Sequence, residues 1–81
     1  MYVVYILLSL KDSQRYYIGF TEKDLRQRLA EHNSAESGYS KRYAPWIVET
    51  YISFLNKDKA VAFEKYLKEG SGHAFLKRRL I

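Results

Sequence analysis

Seven consecutive residues near the start of the chain, Tyr2-Val3-Val4-Tyr5-Ile6-Leu7-Leu8, are aliphatic or aromatic with no polar break. A β-branched and aromatic run of this kind reads as a central strand covered on both faces, because an exposed face would alternate with polar residues. The run is also far too short to cross a bilayer, which takes about 20 apolar residues in a helix. It begins at the second residue with no basic segment before it, which argues against a signal peptide. With 81 residues, the chain has room for one small core, so residues 1–81 are expected to form a single domain.

The remaining elements follow from punctuation and periodicity. Ser9 to Gln14 is polar and turn-like, and Arg15-Tyr16-Tyr17-Ile18-Gly19-Phe20 reads as a second strand. The short link predicts an antiparallel hairpin, and a glycine inside a strand marks a bulge or a close approach of another group. Thr21 with Asp24 three residues later resembles a capping box, which predicts a helix from about Glu22 to Asn33. Ser34 to Ser40 reads as a loop. Pro45 turns the chain into a third strand, in which Trp46, Val48, Thr50, Ile52 and Phe54 should share one face. Asn56 is a good N-cap for a helix over Lys57 to Lys68, ended by Gly70. Ser71 is positioned to cap a last helix, His73 to Leu80. The order ββαβαα predicts an α+β domain with a small three-stranded, largely antiparallel sheet flanked by helices.

Charge narrows the function classes. Residues 1–40 carry five cations and five anions, so the net charge of +5 belongs to residues 41–81. A basic half suits a polyanion, since each phosphate contact releases counterions; a solvated surface that maintains solubility is the plain alternative. With no cysteine there is no disulfide, thiolate zinc site or cysteine nucleophile. A soluble, cytoplasmic protein without a membrane span is the simplest expectation.

Three charged or titratable residues stand out. Leu25 and Leu29 mark the buried stripe of the first helix, and Arg28 and His32, four apart, fall along its edge. Both should therefore face the sheet margin, although a solvated arginine and a partly packed histidine is the common fate of such a pair. On the later helix Ala60, Phe63 and Leu67 define the inward stripe, and Glu64 lies within it. A carboxylate there needs a partner, because burying it bare costs several kcal/mol. That partner is either a cation such as Arg28 or a metal ion, and one carboxylate with waters and a substrate phosphate is a normal Mg²⁺ environment. Asn33 and His73 read as structural polar residues near helix ends.

Several segments in order resemble the GIY-YIG nuclease family. Val3-Val4-Tyr5 stands where that family has Gly-Ile-Tyr, and Tyr17-Ile18-Gly19 matches Tyr-Ile-Gly literally. Asp24-Leu25-Arg26-Gln27-Arg28-Leu29 and Glu31-His32-Asn33 are similar to the family's first helix. Pro45-Trp46 and Ala62-Phe63-Glu64-Lys65-Tyr66-Leu67-Lys68 resemble its third-strand entry and its glutamate-bearing helix, and the tail from Gly70 to Arg79 looks like the small stand-alone bacterial members.

The resemblance implies a metal-dependent endonuclease hydrolysing DNA phosphodiesters, with a place in DNA repair or recombination; a nucleic-acid-binding module that keeps the fold without catalysis is the alternative. It assigns Tyr5 and Tyr17 to a catalytic surface that orients or deprotonates water. Arg28 would stabilise charge on the phosphate oxygens, His32 would assist proton transfer, and Glu64 would hold one divalent ion, Mg²⁺ or Mn²⁺. Substrate contacts are expected from Lys41, Arg42, Lys65, Lys68, Arg78 and Arg79. Binding through these alone should be weak, salt-sensitive and little sequence-selective, with a protein partner as a source of specificity.

Overall fold

The structure, a computed structural model, describes residues 1–81. The apolar run forms β1 (Tyr2–Ser9), and β2 (Tyr16–Thr21) and β3 (Trp46–Phe54) flank it in the order β2-β1-β3. Both pairings are antiparallel. Four helices complete an α+β fold: α1 (Leu25–Asn33), α2 (Gly38–Arg42), α3 (Lys57–Leu67) and α4 (Gly70–Arg79). No helix is long and apolar enough to cross a membrane.

The central strand divides the core as its sequence demands. Val4 and Ile6, fully buried, pack with Ala60, Leu67 and Leu76 of α3 and α4. Tyr5 and Leu7, also fully buried, pack on the other face with Trp46, Leu25 and Leu29. Two half-cores thus stand back to back across the sheet, and Tyr5 belongs to the half covered by α1.

Four expectations are corrected. The first helix begins at Leu25, not Glu22, and its N-cap is Asp24, whose carboxylate accepts from the Arg26 amide at 2.9 Å. Thr21 instead ends β2 opposite Val3, and its hydroxyl accepts from the Lys23 amide at 3.0 Å, ahead of the helix. The predicted loop before Pro45 contains a turn of helix, α2, entered at Gly38 with a φ of +79°, a left-handed conformation that favours glycine. The last helix starts at Gly70 rather than His73, with Glu69 at its N-cap position.

The fourth correction concerns β3. Leu7 pairs with Val48 but Ile6 pairs with Thr50, so Glu49 is an extra residue and the ladder bulges there. Trp46 and Val48 pack against the Tyr5 half-core, whereas Phe54 packs against the Val4 half-core. The five alternating residues therefore serve two faces, not one, which lets a single edge strand seal both halves of the core.

Candidate active site

The site grows from the register of the hairpin. Tyr5 lies opposite Gly19, and a Cβ built on Gly19 would overlap the Tyr5 ring. Glycine is required there because the aromatic ring crosses directly over the neighbouring backbone, which settles why a strand contains it. Lying across β2, the Tyr5 hydroxyl reaches α1, where it accepts a hydrogen bond from Arg28 Nε at 3.2 Å. It also bonds His32 Nε2 at 3.0 Å.

Arg28 only donates, so the Tyr5 oxygen accepts from it. The Tyr5–His32 bond runs from the phenol to Nε2 when the imidazole proton sits on Nδ1, and from Nε2 to the phenol oxygen in the other tautomer. A neutral imidazole accepting at Nε2 carries its proton on Nδ1, and Nδ1 lies 2.8 Å from Ser40 Oγ. Ser40 is itself tethered, since its carbonyl accepts from the Trp46 indole at 2.8 Å. The result is a continuous hydrogen-bonded chain from Arg28 through Tyr5 and His32 to Ser40.

Burial sets the charge states. His32 is 5 % exposed and is the only buried residue of α1, ahead of both leucines of the apolar stripe. Desolvation, aided by the nearby Arg28 charge and opposed by Glu31, lowers its pKa below the ordinary 6.5, so the ring is neutral near pH 7. Desolvation raises the Tyr5 pKa against the opposing pull of Arg28, so the phenol stays protonated. Arg28 is held cationic chiefly by its bond to Glu31, whose carboxylate accepts from Nη1 at 2.8 Å. Lys23 binds the other oxygen of Glu31 at 3.0 Å. With its side chain 33 % exposed and two donors engaged, Arg28 retains guanidinium N–H groups for an anion.

Tyr17 completes the cluster. Its ring centroid lies 4.4 Å from that of His32 and 6.3 Å from that of Tyr5. Glu64 approaches from α3. Its side chain is 23 % exposed, and it pairs with Lys68 at 3.2 Å rather than with Arg28, which Glu31 already occupies. Its negative charge nevertheless reaches Tyr5 and adds to the rise in that hydroxyl's pKa.

No group of three or more His, Cys, Asp or Glu side chains converges anywhere in the chain. One half-buried carboxylate still suits a hard divalent ion that keeps most of its waters and takes further oxygens from a phosphate.

The structure thus gathers Tyr5, Tyr17, Arg28 and His32 into one contact cluster, with Glu64 within electrostatic reach. Of the predicted substrate contacts, Lys41 and Arg42 are exposed on α2, Lys65 on α3, Lys68 at its end, and Arg78 and Arg79 on the last turn of α4. Sequence reasoning missed Glu31, Ser40 and the role of Asn33. Glu31 lay three residues from Arg28, a helical spacing that signals a pair, whereas nothing marked Ser40. Asn33 is more than a helix-end residue. Its side chain accepts from the Trp46 amide at 2.6 Å and donates to the Trp46 carbonyl at 3.2 Å, locking the end of α1 to the start of β3.

A protein-family model described as the GIY-YIG catalytic domain matches residues 1–78. The chain belongs to the GIY-YIG family. Its fold is accordingly of the nuclease type, and the Tyr5 hairpin, the Arg28 helix and the Glu64 helix all fall within the matched span. No curated protein sequence matches the chain.

Proposed function

We propose that this GIY-YIG domain is a divalent-metal-dependent endonuclease that hydrolyses DNA phosphodiester bonds. The observation that carries the proposal is the Tyr5 hydroxyl, hydrogen-bonded at once to Arg28 at 3.2 Å and to neutral His32 at 3.0 Å. The free N–H groups of Arg28 stabilise the negative charge that builds on the phosphate oxygens as water attacks. Tyr17, packed on His32, shapes the surface where that water sits. The proton leaving the water passes to the Tyr5 oxygen as the Tyr5 proton moves to His32 Nε2, and the departing alkoxide takes a proton from solvent. With the imidazole proton on Nδ1, bonded to Ser40 Oγ, His32 Nε2 is open to accept. Glu64 would hold the Mg²⁺ or Mn²⁺ ion, which when bound polarises the phosphate and the leaving oxygen. Lys41, Arg42, Lys65, Lys68, Arg78 and Arg79 supply contacts to the DNA backbone without sequence readout.

Cleavage of plain and branched DNA in Mg²⁺ tests this directly, comparing the parent with Glu64→Ala and Arg28→Ala. The parent should cut, and each variant should lose at least about a hundredfold in rate, the scale of a lost electrostatic group in an active site. Equal cutting by all three would sink the assignment. Unchanged salt-dependent binding with no cutting by any of them would leave a binding module in its place.

A further inference from the structure

A second hydrogen-bonded tyrosine–histidine pair lies on the opposite side of the β2 edge from the first. Tyr16 Oη and His73 Nε2 are 2.6 Å apart, joining β2 to α4. With Tyr17, Ile18 and Lys68 they line an open cavity of about 370 Å³, and no carboxylate is among the lining residues. Lys77 stands one helical turn beyond His73, its ammonium 5.5 Å from the centre of the Tyr16 ring. Tyr17 is common ground, since the same ring packs on His32 at 4.4 Å.

None of these groups is used up by the fold. Lys68 gives one of its three N–H donors to Glu64, and its ammonium remains half-exposed. With Tyr16 donating to Nε2, His73 keeps its Nδ1 proton as a free donor. The Lys68 ammonium supplies charge and the His73 imidazole supplies direction in a depression with aromatic walls, and the Lys77 ammonium stands in the adjoining depression across the Tyr16 ring, a donor set suited to phosphate.

We propose that this cavity is a phosphate subsite, built by Lys68 and His73, with Tyr16 orienting His73 and Lys77 adding charge from the adjoining depression that shares the Tyr16 ring. It binds the backbone phosphodiester of the strand next to the one held at Arg28. The proposal rests on the nuclease reading for its neighbour and deepens it by fixing the side of the Tyr5 cluster along which the strand continues, past Tyr17 and across the β2 edge.

The test is fluorescence-anisotropy binding of a labelled DNA duplex in EDTA, across a salt series, for the parent, His73→Ala, Lys77→Ala and Lys59→Ala. Lys59 is the control, an exposed cation on the first turn of α3, about 13 Å along the helix from Lys68. Loss of one phosphate contact should lower the slope of log K against log salt by about 0.9, or roughly eightfold in affinity at 0.1 M salt. Lys77→Ala should weaken binding toward that limit, His73→Ala should weaken it through a lost hydrogen bond with little change of slope, and Lys59→Ala should leave it near the parent. Melting followed by Trp46 fluorescence verifies that each variant is folded. Equal effects from all three variants, no effect from any, or a parent that binds no DNA would overturn the subsite. The nuclease reading fails separately. A parent that binds through His73 and Lys77 yet cuts nothing sinks catalysis alone, whereas Glu64-dependent cutting with binding indifferent to His73 and Lys77 sinks the subsite alone.

Discussion

Gly19 shows how much one missing side chain can hold in place. The Tyr5 ring occupies the space where a Cβ at position 19 would stand, and only by crossing there does its hydroxyl meet Arg28 and His32. Gly19→Ala should therefore displace the ring and cost about 1–3 kcal/mol of stability, the usual range for overpacking a filled site. Its cleavage rate should fall further than the stability loss accounts for, because the proton path through Tyr5 opens. Urea unfolding and cleavage assays on the same preparation separate the two effects, and a variant with parental activity would show that the ring crossing is dispensable. Ser40 acts at the same scale, anchoring the His32 ring through Nδ1 at 2.8 Å.

At the scale of elements, the site depends on where α1 is pinned. Asn33 closes both hydrogen bonds of the Trp46 backbone, so it fixes the distance between the helix that carries Arg28 and His32 and the sheet that carries Tyr5. Asn33→Ala leaves a backbone donor and acceptor of a buried residue without these partners, which should cost about 1–3 kcal/mol. Trp46 is the only tryptophan and is 2 % exposed, so its fluorescence during urea unfolding reads that loss at the joint itself. An unchanged midpoint would mean that packing alone sets the helix.

Element positions were largely legible before the structure, because apolar runs and caps are local signals. The strand Trp46–Phe54 and the Asn56 cap, whose side chain accepts from the Lys59 amide at 3.0 Å, follow the sequence residue for residue. The bulge at Glu49 and the helix at Gly38 were not legible. A bulge arises from pairing two strands of unequal count, and α2 is too short to show a periodicity.

Over the whole molecule, burying a titratable group makes stability depend on pH. The folded state lowers the pKa of His32, so below about 6.5 the unfolded chain binds more protons than the folded one. The stability tied to the neutral ring is then full above pH 6.5 and drains as pH falls toward and past the lowered folded value. Glu31, whose pKa is also lowered, by its bonds to Arg28 and Lys23, acts in a separate window below the ordinary 4.5. Denaturant midpoints measured from pH 8 to pH 5 should drop for the parent and drop less for His32→Gln. Parallel curves would place the pH sensitivity elsewhere.

The division of labour between sequence and fold has a physical basis. Local pattern alone determined a two-faced central strand, the strand and helix that follow it, a basic second half and a carboxylate on an apolar stripe. These are properties of neighbours along the chain, and the order of motifs was enough to point to the GIY-YIG family. Partner choice was decided only in three dimensions. Arg28 met Tyr5, Tyr5 met His32, and His32 became the most buried residue of its helix. Such pairings depend on which groups meet across 23 or 27 residues of sequence, and on which of them water can still reach. The opening strand carries Tyr5 in its sequence, but the register opposite Gly19 is what brings its hydroxyl to the site.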